Sequence, residues 1–124
     1  MKRLITGPGG QDKLGYALKS AGLLEADAAF ELGERGTVLA RAHLAIRHGM
    51  EKGLSHEELE AALLRYDTVT ADEIGAGVIP LNPFERAWRE EAGRLLCAYA
   101  KEADVVERML CGIPILIKGE NFPS

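Results

Sequence analysis

The order of apolar and polar positions resolves the chain into short buried runs separated by helical stripes, the two periods that distinguish strands from helices. Arg3-Leu4-Ile5-Thr6 predicts a short buried strand that runs into the glycine cluster Gly7-Pro8-Gly9-Gly10. Leu14, Ala17, Leu18 and Ala21 then recur at spacings of three and four, which predicts a helix over Lys13–Ala21 with Gly22 as its stop. Strand, glycine loop and helix form the opening unit of many nucleotide-binding α/β proteins. Residues 23–36 mix acidic positions with Ala28, Ala29, Phe30 and Leu32 and read as a short helix or an irregular connection. Thr37-Val38-Leu39 reads as a second short strand, and the stripe of Ala42, His43, Ile46 and Met50 as a helix that ends before Gly53.

Ser55-His56-Glu57-Glu58 has the form of a capping box, in which the serine oxygen accepts from the amide three residues on and Glu58 reaches back to the serine amide. Leu59, Ala62 and Leu63 give the helix it opens a buried face. Tyr66-Asp67-Thr68-Val69-Thr70 is a β-branched strand that empties into the acidic loop Ala71-Asp72-Glu73. Ligand sites in open α/β sheets gather at the carboxyl ends of such strands. Asn82-Pro83-Phe84-Glu85 opens a helix with asparagine as cap and proline first. Phe84, Ala87, Trp88, Ala92, Leu95, Leu96 and Tyr99 make it the strongest amphipathic pattern in the chain. Val105–Leu110 and residues 113–117 flank Gly112 and read as two closing strands, Pro114 being tolerated at a first position or on an edge. Strands that alternate with helices predict one α/β domain over residues 1–124, a three-layer sandwich with a mainly parallel sheet and helices on both faces.

The 124 residues suit one domain, and the 47% hydrophobic and 27% charged fractions are ordinary globular values. Fifteen basic against nineteen acidic residues give a net charge of −4 with no long block of either sign, which argues against nucleic acid or an anionic membrane as partner. The longest apolar run, residues 110–117, contains a glycine and a proline and falls far short of the roughly 20 residues needed to cross a bilayer. Met1-Lys2-Arg3 is followed by too short an apolar stretch for a secretory signal, so the expected location is cytoplasmic. Cys97 and Cys111 lack CxxC spacing and are expected as core thiols, one on a buried helix face and one at the end of a buried strand.

Candidate chemistry concentrates at two loops. The spacing from Gly7 to Lys13 overlays the phosphate-binding signature GxxxxGK[ST] at its first glycine and its lysine, with Asp12 at the second glycine and Leu14 at the hydroxyl position. In an intact loop, backbone amides and the helix N-terminus surround phosphates, the lysine reaches the outer ones and the hydroxyl holds magnesium. The alternative is a tight glycine turn with a solvated Lys13. Asp72 and Glu73 could hold magnesium if they face that loop across the sheet end, the alternative being a solvated acidic loop. His43 falls on an apolar stripe and reads as a structural histidine rather than a base or ligand, while His48 and His56 have no evident partners. Arg86, Arg89 and Arg94 are expected to be balanced by Glu85, Glu90 and Glu91.

Val69-Thr70-Ala71-Asp72-Glu73-Ile74-Gly75-Ala76-Gly77-Val78-Ile79-Pro80 closely resembles a segment of the adenosylcobinamide kinase and adenosylcobinamide-phosphate guanylyltransferase family. Glu91-Ala92-Gly93-Arg94-Leu95 resembles that family's helix motif, and Ala103-Asp104-Val105 with Cys111-Gly112-Ile113-Pro114-Ile115-Leu116-Ile117-Lys118 its closing strands. The resemblance implies a phosphate-loop (P-loop NTPase-like) fold and a transferase of late cobalamin assembly that phosphorylates the aminopropanol hydroxyl of adenosylcobinamide. It implies magnesium and ATP or GTP as cofactors, a corrinoid partner and a small homo-oligomer. Carried over, Gly7, Gly9 and Gly10 would line the phosphates, Lys13 would contact the outer ones, and Glu73 would take the family's acidic position after the strand. Asp72 stands where the family usually has an amide. Residues 21–36 contain no histidine, so the family's guanylyl-accepting group has no counterpart and the kinase step is the one implied. A non-catalytic binding or assembly module that keeps the fold is the alternative.

Overall fold

Strand β1, Arg3–Thr6, lies between two strands that follow it at a long distance in the sequence. On one side it pairs in parallel with β4, Thr68–Thr70, and on the other with β5, Val105–Leu110, so that Leu4 stands beside both Val69 and Val106. The computed structural model describes residues 1–74 and 82–120. Within them the sheet has six strands in the order β2-β3-β4-β1-β5-β6, with β2 at Ala28–Ala29, β3 at Val38–Leu39 and β6 at Ile113–Lys118. All pairings are parallel except that of β5 with β6. The described residues also form four helices: α1 Lys13–Ala21, α2 Ala42–Glu51, α3 His56–Leu64 and α4 Pro83–Glu102.

Side chains alternate across a strand, and that alternation divides the core into two layers. Leu4 joins Leu39, Val69 and Val106 on the face covered by α2, α3 and α4. Ile5 joins Val38 and Met109 on the face covered by α1, through Ala17 and Leu18. Helices therefore cover both faces of a mainly parallel sheet, as the alternating pattern predicts. The strongest stripe becomes α4, whose Trp88, Ala92, Leu95 and Tyr99 are buried. Asn82 caps it by accepting from the Glu85 amide at 2.8 Å, and Pro83 costs nothing in the first turn because its missing amide would have no partner there. The two polar tips on that stripe are satisfied: Trp88 Nε1 donates to the His43 carbonyl at 2.8 Å and the Tyr99 hydroxyl to the Tyr66 carbonyl at 2.7 Å. The capping box at Ser55 and Glu58 forms in both directions.

The irregular stretch after α1 holds a single 3-10 turn, Glu25–Asp27, followed by β2, whose two residues carry too little pattern to announce a strand. Residues 113–117, read as a strand, do form one, at the edge position that Pro114 allows. β6 is an antiparallel edge strand exposed along its length, with Ile113 63% and Ile117 61% accessible. Cys111 and Gly112, both with positive φ, form the two-residue turn that folds it back on β5. Both cysteines are exposed rather than core thiols. Cys111 sits in that turn, and Cys97 lies two positions from buried Leu95, about 200° around the helix. Among the described residues no helix is long and apolar enough to cross a membrane.

Candidate functional site

The glycine loop leaves β1 at a point where only glycine fits. Gly7 has φ 139, and a β-carbon there would lie 2.3 Å from the Met109 carbonyl oxygen. The loop is tied at once to the end of β4, because the Ala71 amide donates to the Ile5 carbonyl at 3.0 Å and the Glu73 amide to the Gly7 carbonyl at 2.9 Å. From β1 the chain turns toward β2 and β3 through α1, while from β4 it crosses to β5 through α4 on the opposite face. Such a divergence between adjacent parallel strands opens a crevice at their carboxyl ends.

Asp12, standing at the signature's second glycine, adopts the left-handed conformation with φ 51. Aspartate tolerates that region better than most side chains, which is how the turn survives without glycine. Its carboxylate then turns inward as the N-cap of α1, accepting from the Gly15 amide at 3.2 Å. Gly15 makes this contact possible, since a β-carbon there would lie 2.4 Å from the Asp12 carboxylate. Lys13 opens the helix and is buried, its Nζ donating to the Pro8 carbonyl and to Asp72 Oδ1, both at 2.7 Å. Gly10, Asp12, Lys13, Arg41, His43 and Asp72 line one cavity of about 300 Å³ at this corner. Gly9 packs close by, where a β-carbon would come within 3.3 Å of the Asp72 carboxylate.

His43 forms part of the wall. Its Nδ1 accepts from the Asp72 amide at 3.1 Å, so the ring proton resides on Nε2, 3.6 Å from Asp72 Oδ2. Burial holds the imidazole below its usual titration range; Lys13 and Arg41 act in the same sense and Asp72 opposes them. The ring is therefore neutral at pH 7, a positioning group for Asp72 and a structural histidine as its stripe suggested.

Asp72 and Glu73 are separated by one peptide bond, yet they point to different partners. Both oxygens of Glu73 take hydrogen bonds from Arg108 on β5, at 2.5 and 3.0 Å, and that guanidinium holds the carboxyl below the ordinary carboxylate range. Of the two acids expected to share a magnesium ion, Asp72 alone lines the cavity with Lys13. Leu14 offers no hydroxyl, and among the described residues no cluster of three or more His, Cys, Asp or Glu could hold a metal. A dedicated protein cage for magnesium does not fit these residues; a water-mediated contact from Asp72 to a cation carried by phosphates does.

Other expected partnerships are redrawn. His48 pairs with Glu31 at 2.9 Å, and His56 with Glu91 at 2.5 Å and Glu60 at 3.2 Å, so both have carboxylate partners that no local spacing announced. Glu90 pairs with Arg94 at 3.7 Å as expected, whereas Glu85 goes to Arg47 of α2 at 2.6 Å. Arg47 lies across the Trp88 and Phe84 rings, which delivers its guanidinium to Glu85. Sequence inspection also missed Arg41 and Arg108, whose positions at the strand ends follow only from the strand order. Of the stretch 69–80 that carries the family resemblance, residues 75–80 lie outside the described residues. Neither a protein-family model nor a curated protein matches the chain.

Proposed function

We propose that the chain binds a nucleoside triphosphate, ATP or GTP, at residues 7–13 and acts as an adenosylcobinamide-kinase-like transferase on a corrinoid hydroxyl. The observation that carries this reading is the meeting of Lys13 and Asp72 at 2.7 Å, beside a glycine loop and at the carboxyl ends of adjacent parallel strands. An ammonium has three donors, and Pro8 and Asp72 engage two of them, so Lys13 keeps one for a phosphate oxygen without leaving its place. The amides of Gly9 and Gly10 supply further donors without side-chain bulk. Magnesium brought by the nucleotide would neutralise phosphate charge, with Asp72 as its water-mediated contact. The strand, loop and helix unit supports a P-loop-like assignment of the sheet. The uncovered apolar edge at β6 is the feature that favours a homo-oligomer.

A specific observation favours the second reading, a binding or assembly module without magnesium-dependent chemistry. The Asp12 carboxylate already occupies the Gly15 amide at the start of α1, and like charges about 4 Å apart repel by about 4 kcal/mol at an effective dielectric near 20. Calorimetric titration with ATP and GTP, with and without magnesium, tests both. The native chain is expected to bind weakly, and Asp12→Gly combined with Leu14→Ser to raise magnesium-dependent affinity at least tenfold, about 1.4 kcal/mol. No gain in the double variant would sink the phosphate-site assignment. Transfer of labelled terminal phosphate to adenosylcobinamide separates the kinase from the module.

A further inference from the structure

Arg41 is assigned no part by the loop signature or by the family resemblance, yet it lines the same cavity as Lys13. It follows β3 and serves as the N-cap of α2 in the left-handed conformation, φ 51, where its side chain makes no capping bond. For an arginine that backbone is strained, because its β-carbon crowds the following carbonyl oxygen. The bond from the Arg41 amide to Thr70 Oγ1 at 3.1 Å holds it in place. Among the described residues the guanidinium has no ion-pair partner, and its charge is felt inside the cavity, where with Lys13 it adds to the burial that lowers the His43 titration range.

The strand order fixes where this cation stands. The glycine loop follows β1, Arg41 follows β3, and β4 with Asp72 at its end runs between them. Loop and arginine thus flank Asp72 across two strand spacings, about 10 Å, a gap that a polyphosphate chain crosses. Lys13 has one donor left, whereas a guanidinium offers five in a planar fork that matches two phosphate oxygens at once. We propose that Arg41 is the residue that grips the terminal phosphate of the bound nucleotide, while the loop and Lys13 hold the inner ones. This rests on the nucleotide-binding reading above and adds a phosphate-contacting residue to it. Backbone strain kept at a position with an exposed, unpaired side chain fits a residue held for its ligand rather than for the fold.

The test is Arg41→Gly, because glycine adopts φ 51 without strain and removes the guanidinium in the same step. ATP and ADP are titrated, with magnesium, into the native chain, Arg41→Gly and Lys13→Ala, and each is melted. Arg41→Gly is expected to melt no lower than the native chain, to lose at least tenfold in affinity for ATP, and to bind ADP within twofold of native. Equal weakening for ATP and ADP overturns the terminal-phosphate contact. Unchanged ATP binding in Arg41→Gly together with its loss in Lys13→Ala overturns the role of Arg41 and leaves the nucleotide reading standing. A native chain that binds neither nucleotide removes both.

Discussion

Two cation–carboxylate pairs, Arg3–Glu107 and Lys13–Asp72, link different segments of this fold, and their surroundings differ. Arg3 and Glu107 meet at 2.6 Å with side chains 0% and 5% accessible, under α1. Arg3 also donates to Ser20 Oγ at 2.6 Å and lies over the Tyr16 ring, while the Tyr16 hydroxyl bonds Glu107. Burial, reinforced by that carboxylate, raises the Tyr16 hydroxyl above its ordinary titration range. Lys13 and Asp72 meet at 2.7 Å with 5% and 38% accessible, so one partner stays open to the cavity. The first pair closes on protein groups, and the second faces a space where a ligand can enter. A buried charge pair therefore says little about function until its open side is known.

The largest expected effect breaks the sealed pair. Glu107→Ala removes the carboxylate that accepts from buried Arg3 Nε and is expected to lower unfolding free energy by about 3–5 kcal/mol in urea titration. Asp72→Asn is expected to cost about 1 kcal/mol, since the amide oxygen still accepts from Lys13. If the two losses are equal, the second pair is as structural as the first and the contrast fails.

A smaller effect sharpens the comparison through two histidines. His43, at the open pair, has its folded titration point lowered, chiefly by burial. Its unfolded form takes up a proton first, so its contribution is present above the ordinary histidine value of about 6.5 and is lost as pH falls through the folded one. His56 is half-buried, and its hydrogen bond to Glu91 raises its folded titration point. Its contribution is present below about 6.5 and disappears as pH rises through the folded value. NMR titration of the imidazole protons is expected to place His43 below free histidine and His56 above it. The reverse order would remove the neutral-ring account of the cavity wall.

How far the sequence discloses this molecule depends on the distance over which each feature is determined. The caps at Ser55 and Asn82, the stripe of α4 and the glycine loop after β1 rest on neighbours within a few residues, and they form as the pattern predicts. Leu4 and Val69 stand side by side, with the Gly7 and Glu73 loops leaving one sheet edge, because alternating strands and helices prescribe a parallel sheet. Exposure of β6 was hidden because an apolar run looks alike whether or not a helix covers it. The turn of Glu73 toward Arg108 depends on β5 lying beside β1, and the pairing of Arg3 with Glu107 joins residues near opposite ends of the sequence. Charge balance counted along a helix likewise cannot see that Arg47 approaches from a neighbouring one.

The central place of β1 has a consequence for how the protein folds. Arg3 must find Thr68 on one side and Val105 on the other, so the middle of the sheet is closed by contacts that span most of the sequence. The antiparallel hairpin of β5 and β6 needs only a two-residue turn. Contacts of long sequence separation carry the loop-closure cost that slows folding, whereas a hairpin zips locally. Insertion of β1 is then expected late in assembly, and the glycine loop with it, so pulsed hydrogen exchange should protect the Leu4 and Ile5 amides after those of the β5–β6 hairpin.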